Sequence, residues 1–111
     1  ATVIGAEIDG GSGFWHISDA KTSATAITEI KKAKQGVAYC IEIGEDDATH
    51  GLTIAKSGNF ANITAEWTPS QPGDYIMVIL GKDNKYRELE RRVGGKRTVN
   101  KAVQPNVPGG R

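Results

Sequence analysis

Residues 60–92, FANITAEWTPSQPGDYIMVILGKDNKYRELERR, decide the fold class. At the start, Ala61, Ile63, Ala65 and Trp67 alternate with Asn62, Thr64 and Glu66. That period of two predicts a strand with one buried face. Thr68 to Asp74 follows as a connection whose two prolines cannot donate to a ladder. Tyr75 to Leu80 is apolar at every position, which predicts a central strand covered on both sides. Gly81-Lys82-Asp83-Asn84-Lys85 has the residues of a hairpin loop. Tyr86 to Arg92 then pairs back. Its charges, Arg87, Glu88, Glu90 and Arg91, suit an edge strand guarded against stray pairing.

Upstream the same logic predicts shorter elements. Residues 2–8 read as a strand weakened by Gly5, and Asp9 to Gly13 as a glycine-rich turn. Phe14 to Ile17, Val37 to Ile43 and Leu52 to Ile54 read as further strands, with a turn at Lys56 to Asn59. Residues 22–35 are the one helical candidate, because Ala26, Ile27, Ile30 and Ala33 recur at helical spacing. Thr22 or Ser23 would cap its start and Gly36 would supply a left-handed stop. Roughly seven short strands and one helix imply a mainly β domain, an antiparallel β-sandwich or partly closed barrel.

The chain has 111 residues, enough for one core. Its charge is unevenly placed. Residues 1–81 hold five Lys/Arg and ten Asp/Glu, whereas residues 82–111 hold nine and three. After Gly94-Gly95 no apolar periodicity remains, so 1–92 reads as the globular domain and 93–111 as an extended basic, Pro/Gly-rich arm. Arg91, Arg92, Lys96, Arg97 and Lys101 are the arm cations expected to meet an acidic partner surface. The arm lacks interleaved aromatics, which argues against nucleic acid. No apolar run approaches the roughly 20 residues that span a bilayer, so no membrane role is expected.

No catalytic or metal pattern emerges, and no cofactor is expected. His16 and His50 begin neither HxxxH nor HExxH. Glu45-Asp46-Asp47 lacks the alternating acids of a calcium loop and reads as a solvated turn. Cys40 sits in an apolar strand and reads as an inert buried thiol. Glu42 and Glu66 could in principle form a glycosidase pair, but solvated faces explain both. Gly10-Gly11-Ser12-Gly13 lacks the Lys-Ser/Thr ending of a phosphate loop. Trp67 belongs to the core face of its strand. For Trp15, just past the glycine turn, core burial is the first reading and stacking on a ligand ring the second.

Two resemblances add context. Residues 67–78, WTPSQPGDYIMV, resemble the strand–corner–strand passage of immunoglobulin-like sandwiches. The resemblance implies that Trp67 and Tyr75 build the corner, the tyrosine hydroxyl tying back to backbone. Residues 51–60 (GLTIAKSGNF), 67–75 (WTPSQPGDY) and 85–91 (KYRELER) resemble small structural proteins of tailed-phage virions. That resemblance implies a non-enzymatic capsid decoration (auxiliary head) protein or head-fibre base. It would be made in the bacterial host cytoplasm and held on the capsid surface as a homo-oligomer by the major capsid protein or other virion proteins. The alternative is a carbohydrate- or ligand-binding β-sandwich module.

Overall fold

The computed structural model describes residues 7–18, 25–45 and 51–100. Nine strands appear among them: β1 (Glu7–Asp9), β2 (Trp15–Ser18), β3 (Thr25–Ala26), β4 (Glu29–Lys31), β5 (Ala38–Ile43), β6 (Leu52–Thr53), β7 (Tyr75–Leu80), β8 (Tyr86–Val93) and β9 (Lys96–Val99). Five form one sheet in the order β2-β5-β7-β8-β9. The pairs β1-β4 and β3-β6 make two small ladders. The fold is mainly β and its sheets stay open, in a sandwich-like arrangement of two layers.

Alternation in the central strands builds one layer. In β7, Ile76, Val78 and Leu80 are buried while Tyr75, Met77 and Ile79 are half-covered. The apolar run therefore has one fully buried face, not two. Its register against β5 sets Tyr39 beside Val78 and Ile41 beside Ile76 on the inner face. These side chains join one core with Ile8, Ile27, Ile30, Leu52, Ile54, Phe60, Ile63 and Trp67 from the other layer. Each fully buried Val or Ile contributes roughly 1.5–3 kcal/mol relative to exposure.

The expected antiparallel sandwich is mixed. β2 runs parallel to β5, β1 to β4 and β3 to β6. The β2-to-β5 link must cross over, because parallel neighbours cannot be joined by a tight turn. β3 and β4 lie within that link and contribute Ile27 and Ile30 to the core.

The expected helix over 22–35 does not form. Thr22 and Ser23 lie outside the described residues. Thr25 N and Ile27 N donate to Gly51 O and Thr53 O at 3.0 and 2.8 Å, so their amides serve another strand. Ile27 and Ile30 are buried, but Ala26, on the supposed apolar face, is exposed. The spacing of three comes from two short strands with a break between them. Thr25, Ile27, Thr28 and Ile30 are β-branched, which favours this extended path. Gly36 does take a positive φ of 80°, in a turn leading into β5. Among the described residues there is no α-helix, only 3₁₀ turns at Gly10–Ser12 and Gly58–Phe60.

The alternating segment 60–67 is also not a strand. Phe60, Ile63 and Trp67 are buried anchors, but Ala65 is exposed. Only isolated bridges link it to the sheets, Trp67 to Ile54 and Asn62 to Arg87. The backbone is instead held by a charged clamp. Glu88, fully buried, accepts from Thr64 Oγ1 at 3.0 Å and from Arg91 Nε and Nη2 at 3.0 and 2.7 Å. Arg91 Nη2 donates to Ala65 O at 2.6 Å and Nη1 to Glu66 O at 3.1 Å.

β8 is not the edge. Gly94 and Gly95, with φ of 60° and 82°, form a two-residue turn that returns the chain as β9. Two consecutive positive φ values are what a twisted two-residue hairpin demands. The charges of β8 thus lie inside the sheet, and residues 96–99 of the expected arm are strand. Residues 101–111 lie outside the described residues.

Arg91→Ala should lower unfolding free energy by roughly 3–5 kcal/mol, because it leaves Glu88 buried without its cation. Urea denaturation would measure this, and a loss below about 1 kcal/mol would contradict the clamp.

Candidate binding surface

The outer face of the five-stranded sheet collects the remaining polar and aromatic groups. β2 places Trp15 and Ile17 there, 55% and 43% exposed. This settles the two readings of Trp15 against core burial. Its indole Nε1 donates to Glu42 Oε1 on β5 at 2.7 Å, so the ring is exposed yet held. Tyr75 on β7 lies 6.5 Å away, centroid to centroid, tilted by 43°.

Tyr75 does not play the expected corner role. Its hydroxyl donates to the Glu90 carboxylate rather than to backbone. Arg97 on β9 grips the same carboxylate, Nε to Oε2 at 2.8 Å and Nη2 to Oε1 at 3.1 Å. The Arg97 hydrogen bonds, and then that of Tyr75, hold the Glu90 carboxyl below its usual range. Burial, followed by the bond to Glu90, raises the Tyr75 hydroxyl. Trp15, Glu42, Tyr75, Glu90 and Arg97 thus form a file across the sheet, each fixed by a neighbour. Trp67 is fully buried near the corner and bridged to Ile54, away from this face.

The corner is closed by Asp74, which sequence reasoning passed over. Its buried carboxylate accepts from Ser70 N at 2.9 Å, Gln71 N at 3.1 Å, Gly94 N at 2.7 Å and Gly95 N at 3.2 Å. It joins the proline-containing connection to the β8–β9 turn. The signal lay in Pro72-Gly73-Asp74, since Asp side chains bond readily to nearby turn amides. Burial pushes this carboxyl up, but the four backbone donors outweigh it and the net shift is downward.

The five arm cations do not act together. Arg91 belongs to the clamp on Glu88. Arg92 Nε lies 3.8 Å from Asp74. Arg97 is engaged with Glu90, and Lys96 is exposed beside the turn. Lys101 lies outside the described residues. The expected draping arm is therefore, up to Val99, a hairpin whose arginines hold the sheet.

The chemical candidates have structural partners. Cys40 is buried, and desolvation, then Glu42 and Glu90, push its thiol up to about 12, far from a reactive thiolate. His16 Nε2 sits 2.9 Å from Gly13 O. That carbonyl can only accept, so this nitrogen donates. His50, Asp46 and Asp47 lie outside the described residues. Glu66 is exposed and accepts from Thr53 Oγ1 at 3.3 Å. Among the described residues no three His, Cys, Asp or Glu converge as metal ligands.

The glycine turn serves packing. A Cβ on Gly10 would come 2.8 Å from Lys31 O and 2.9 Å from Ile30 Cγ2. A cleft of about 570 Å³ opens beside it, lined by Phe14, Lys32, Lys34, Val37 and Tyr39 among others. Phe14, 64% exposed, leans on Tyr39 with ring centroids 6.0 Å apart.

Because the folded Asp74 carboxyl lies below the unfolded value near 3.9, its contribution is complete above that pH. It is lost as pH falls through the folded value. Asp74→Asn should cost about 1–3 kcal/mol at pH 7 and flatten the acid loss below about pH 4. Thermal melts from pH 7 to 2 would show this; equal acid sensitivity in both proteins would contradict the assignment.

No protein-family model, curated protein or solved structure matches this chain, so the reading of the surface rests on its own geometry.

Proposed function

We propose that this chain is a non-enzymatic structural protein of a tailed-phage virion. It binds the capsid surface as a decoration, cement or fibre-anchoring protein. Its partners are the major capsid protein or other virion proteins. The observation that carries a binding role is the position of the exposed apolar side chains. Among the described residues the large ones are Phe14, Trp15 and Ile17, all in one four-residue run at a sheet margin. Clustered apolar exposure marks a contact surface, whereas scattered exposure needs no explanation. The virion context comes from the resemblance of residues 51–60, 67–75 and 85–91. The mode of attachment proposed is contact through the β2 margin and outer face, since Arg91, Arg92 and Arg97 are engaged within the fold. The full chain should co-sediment saturably with expanded tailed-phage heads, and Trp15→Asp should weaken this at least about tenfold. Absence of co-sedimentation would overturn the virion reading.

The exposed, anchored Trp15 favours a second reading, a carbohydrate-binding module. A flat indole stacks on the apolar face of a sugar ring, and Glu42 and Glu90 lie along the same face to accept from hydroxyls. Trp67 is buried, so Trp15 is the solvent-accessible tryptophan of the two. Titration with oligosaccharides should then shift and shield tryptophan emission, and Trp15→Ala should abolish the change. Emission unmoved across a glycan panel would reject this reading.

A further inference from the structure

We propose that two copies of this chain associate through the edge that β2 forms among the described residues, pairing antiparallel about His16 so that their five-stranded sheets become continuous. The inference rests on the functional reading above, since pairing takes the β2 margin and leaves the outer face from β5 to β9 to meet the capsid.

The argument begins with the two edges of the sheet. β9 ends it on one side and presents Lys96, Arg97 and Thr98, all exposed. Charges of this kind guard an edge, and two such edges repel each other. Among the described residues β2 ends the sheet on the other side. Its sequence is Trp15-His16-Ile17-Ser18, with no Lys, Arg, Asp or Glu. The unguarded edge is also the apolar one. Two copies of β2 can meet without opposing like charges.

Backbone geometry then restricts the register. Phe14 O and Ser18 O accept from Cys40 N and Gly44 N at 2.7 and 2.6 Å. In a parallel ladder, alternate residues bond to the neighbour. Trp15 and Ile17 therefore turn their amide N–H and C=O groups away from β5, toward the open edge. A two-fold axis at His16 sets Trp15 opposite the partner's Ile17, and Ile17 opposite the partner's Trp15. Directly opposed residues of this type exchange both backbone hydrogen bonds, so each of the two symmetric pairs closes two. Trp15 and Ile17 also share the outer face, so the partner's isoleucine comes beside each indole. One register thus uses every outward amide and covers both exposed side chains. Such a self-complementary patch is what a closed two-fold dimer requires.

The test combines mass with register. By light scattering after size exclusion, the full chain should have about twice the monomer mass of 11.8 kDa. Ile17→Lys should run as a monomer with an unchanged circular dichroism spectrum, since the side chain is exposed and its loss leaves the core intact. His16→Cys should form a disulfide-linked dimer on mild oxidation. The His16 pair is the non-hydrogen-bonded one, which brings its Cα atoms to about 4.5 Å, within disulfide reach. Lys96→Cys on the guarded edge should not cross-link, nor should the wild type with its buried Cys40. A wild-type monomer at all concentrations overturns the proposal. So does a dimer that Ile17→Lys leaves intact, and so does a dimer in which His16→Cys fails to cross-link. A monomer that still binds heads rejects the pairing and keeps the virion reading, whereas a dimer that binds no heads does the reverse.

Discussion

One extra residue in β8 organises the charges of this protein. Met77 pairs with Glu90 and Val78 with Glu88, so the register shifts by one at Leu89, a bulge in β8. Its carbonyl accepts from Asn100 N at 2.9 Å instead. A bulge changes the parity of the strand beyond it. Before Leu89, Tyr86 and Glu88 point inward. After it, Arg91 points inward and Glu90 and Arg92 outward. Without the extra residue Glu90 would face the core and Arg91 the solvent. The clamp of Glu88 on Arg91 and the file from Tyr75 through Glu90 to Arg97 both depend on that parity.

The inward charges replace a strand. Segment 61–66 carries a period-two pattern, yet its amides and carbonyls meet side chains rather than a ladder. Thr64 N and Oγ1 reach Glu88, while Ala65 O and Glu66 O receive Arg91. Asp74 does the same for the corner at Ser70 and Gln71 and for the turn at Gly94 and Gly95. A buried carboxylate carries several acceptor sites, so one side chain can satisfy amides from segments distant in sequence. This keeps buried backbone groups partnered where regular pairing is short. It also makes the fold sensitive to single charge deletions, because an unpaired buried ion costs far more than the pair contributes.

The sequence was most legible where local rules and tertiary context agree. β5, β7, the loop 81–85 and the return of Tyr86 were all readable from β-branched content and turn residues. Asn84, with φ of 63°, and the bond of Gly81 N to Lys85 O at 2.9 Å show the hairpin chemistry at work. Reading failed where two periods coincide. Ile27 and Ile30 are three apart, which fits a helix face or two short strands equally, and only pairing with β6 and β1 decides. The alternation at 61–67 failed because a bulge more than twenty residues downstream, at Leu89, supplied competing partners. Gly94-Gly95 ends the apolar periodicity, yet a glycine pair between two β-rich runs is also a hairpin signal. Of the site, Trp15 and Tyr75 were named, but Asp74, Glu90 and the engagement of Arg91 and Arg97 were not. Those roles need the register of β8 on β7, which sequence alone does not supply.

The engaged arginines bear on function as well as on folding. Had Arg91, Arg92 and Arg97 been free, a basic arm could have met an acidic surface with three cations together. Bound to Glu88, near Asp74 and on Glu90, they offer little net field, and the exposed run from Phe14 to Ile17 is the apolar feature among the described residues. That shifts the expected contact from long-range charge attraction to close shape matching at the β2 margin, which salt affects little. The same margin cannot hold two occupants. A strand laid along β2 with an isoleucine beside Trp15 would crowd the face on which a sugar ring would stack. Self-association and ligand stacking would therefore compete for one indole. The bond from Trp15 Nε1 to Glu42 favours neither in itself, since it holds the ring in place for whichever partner arrives.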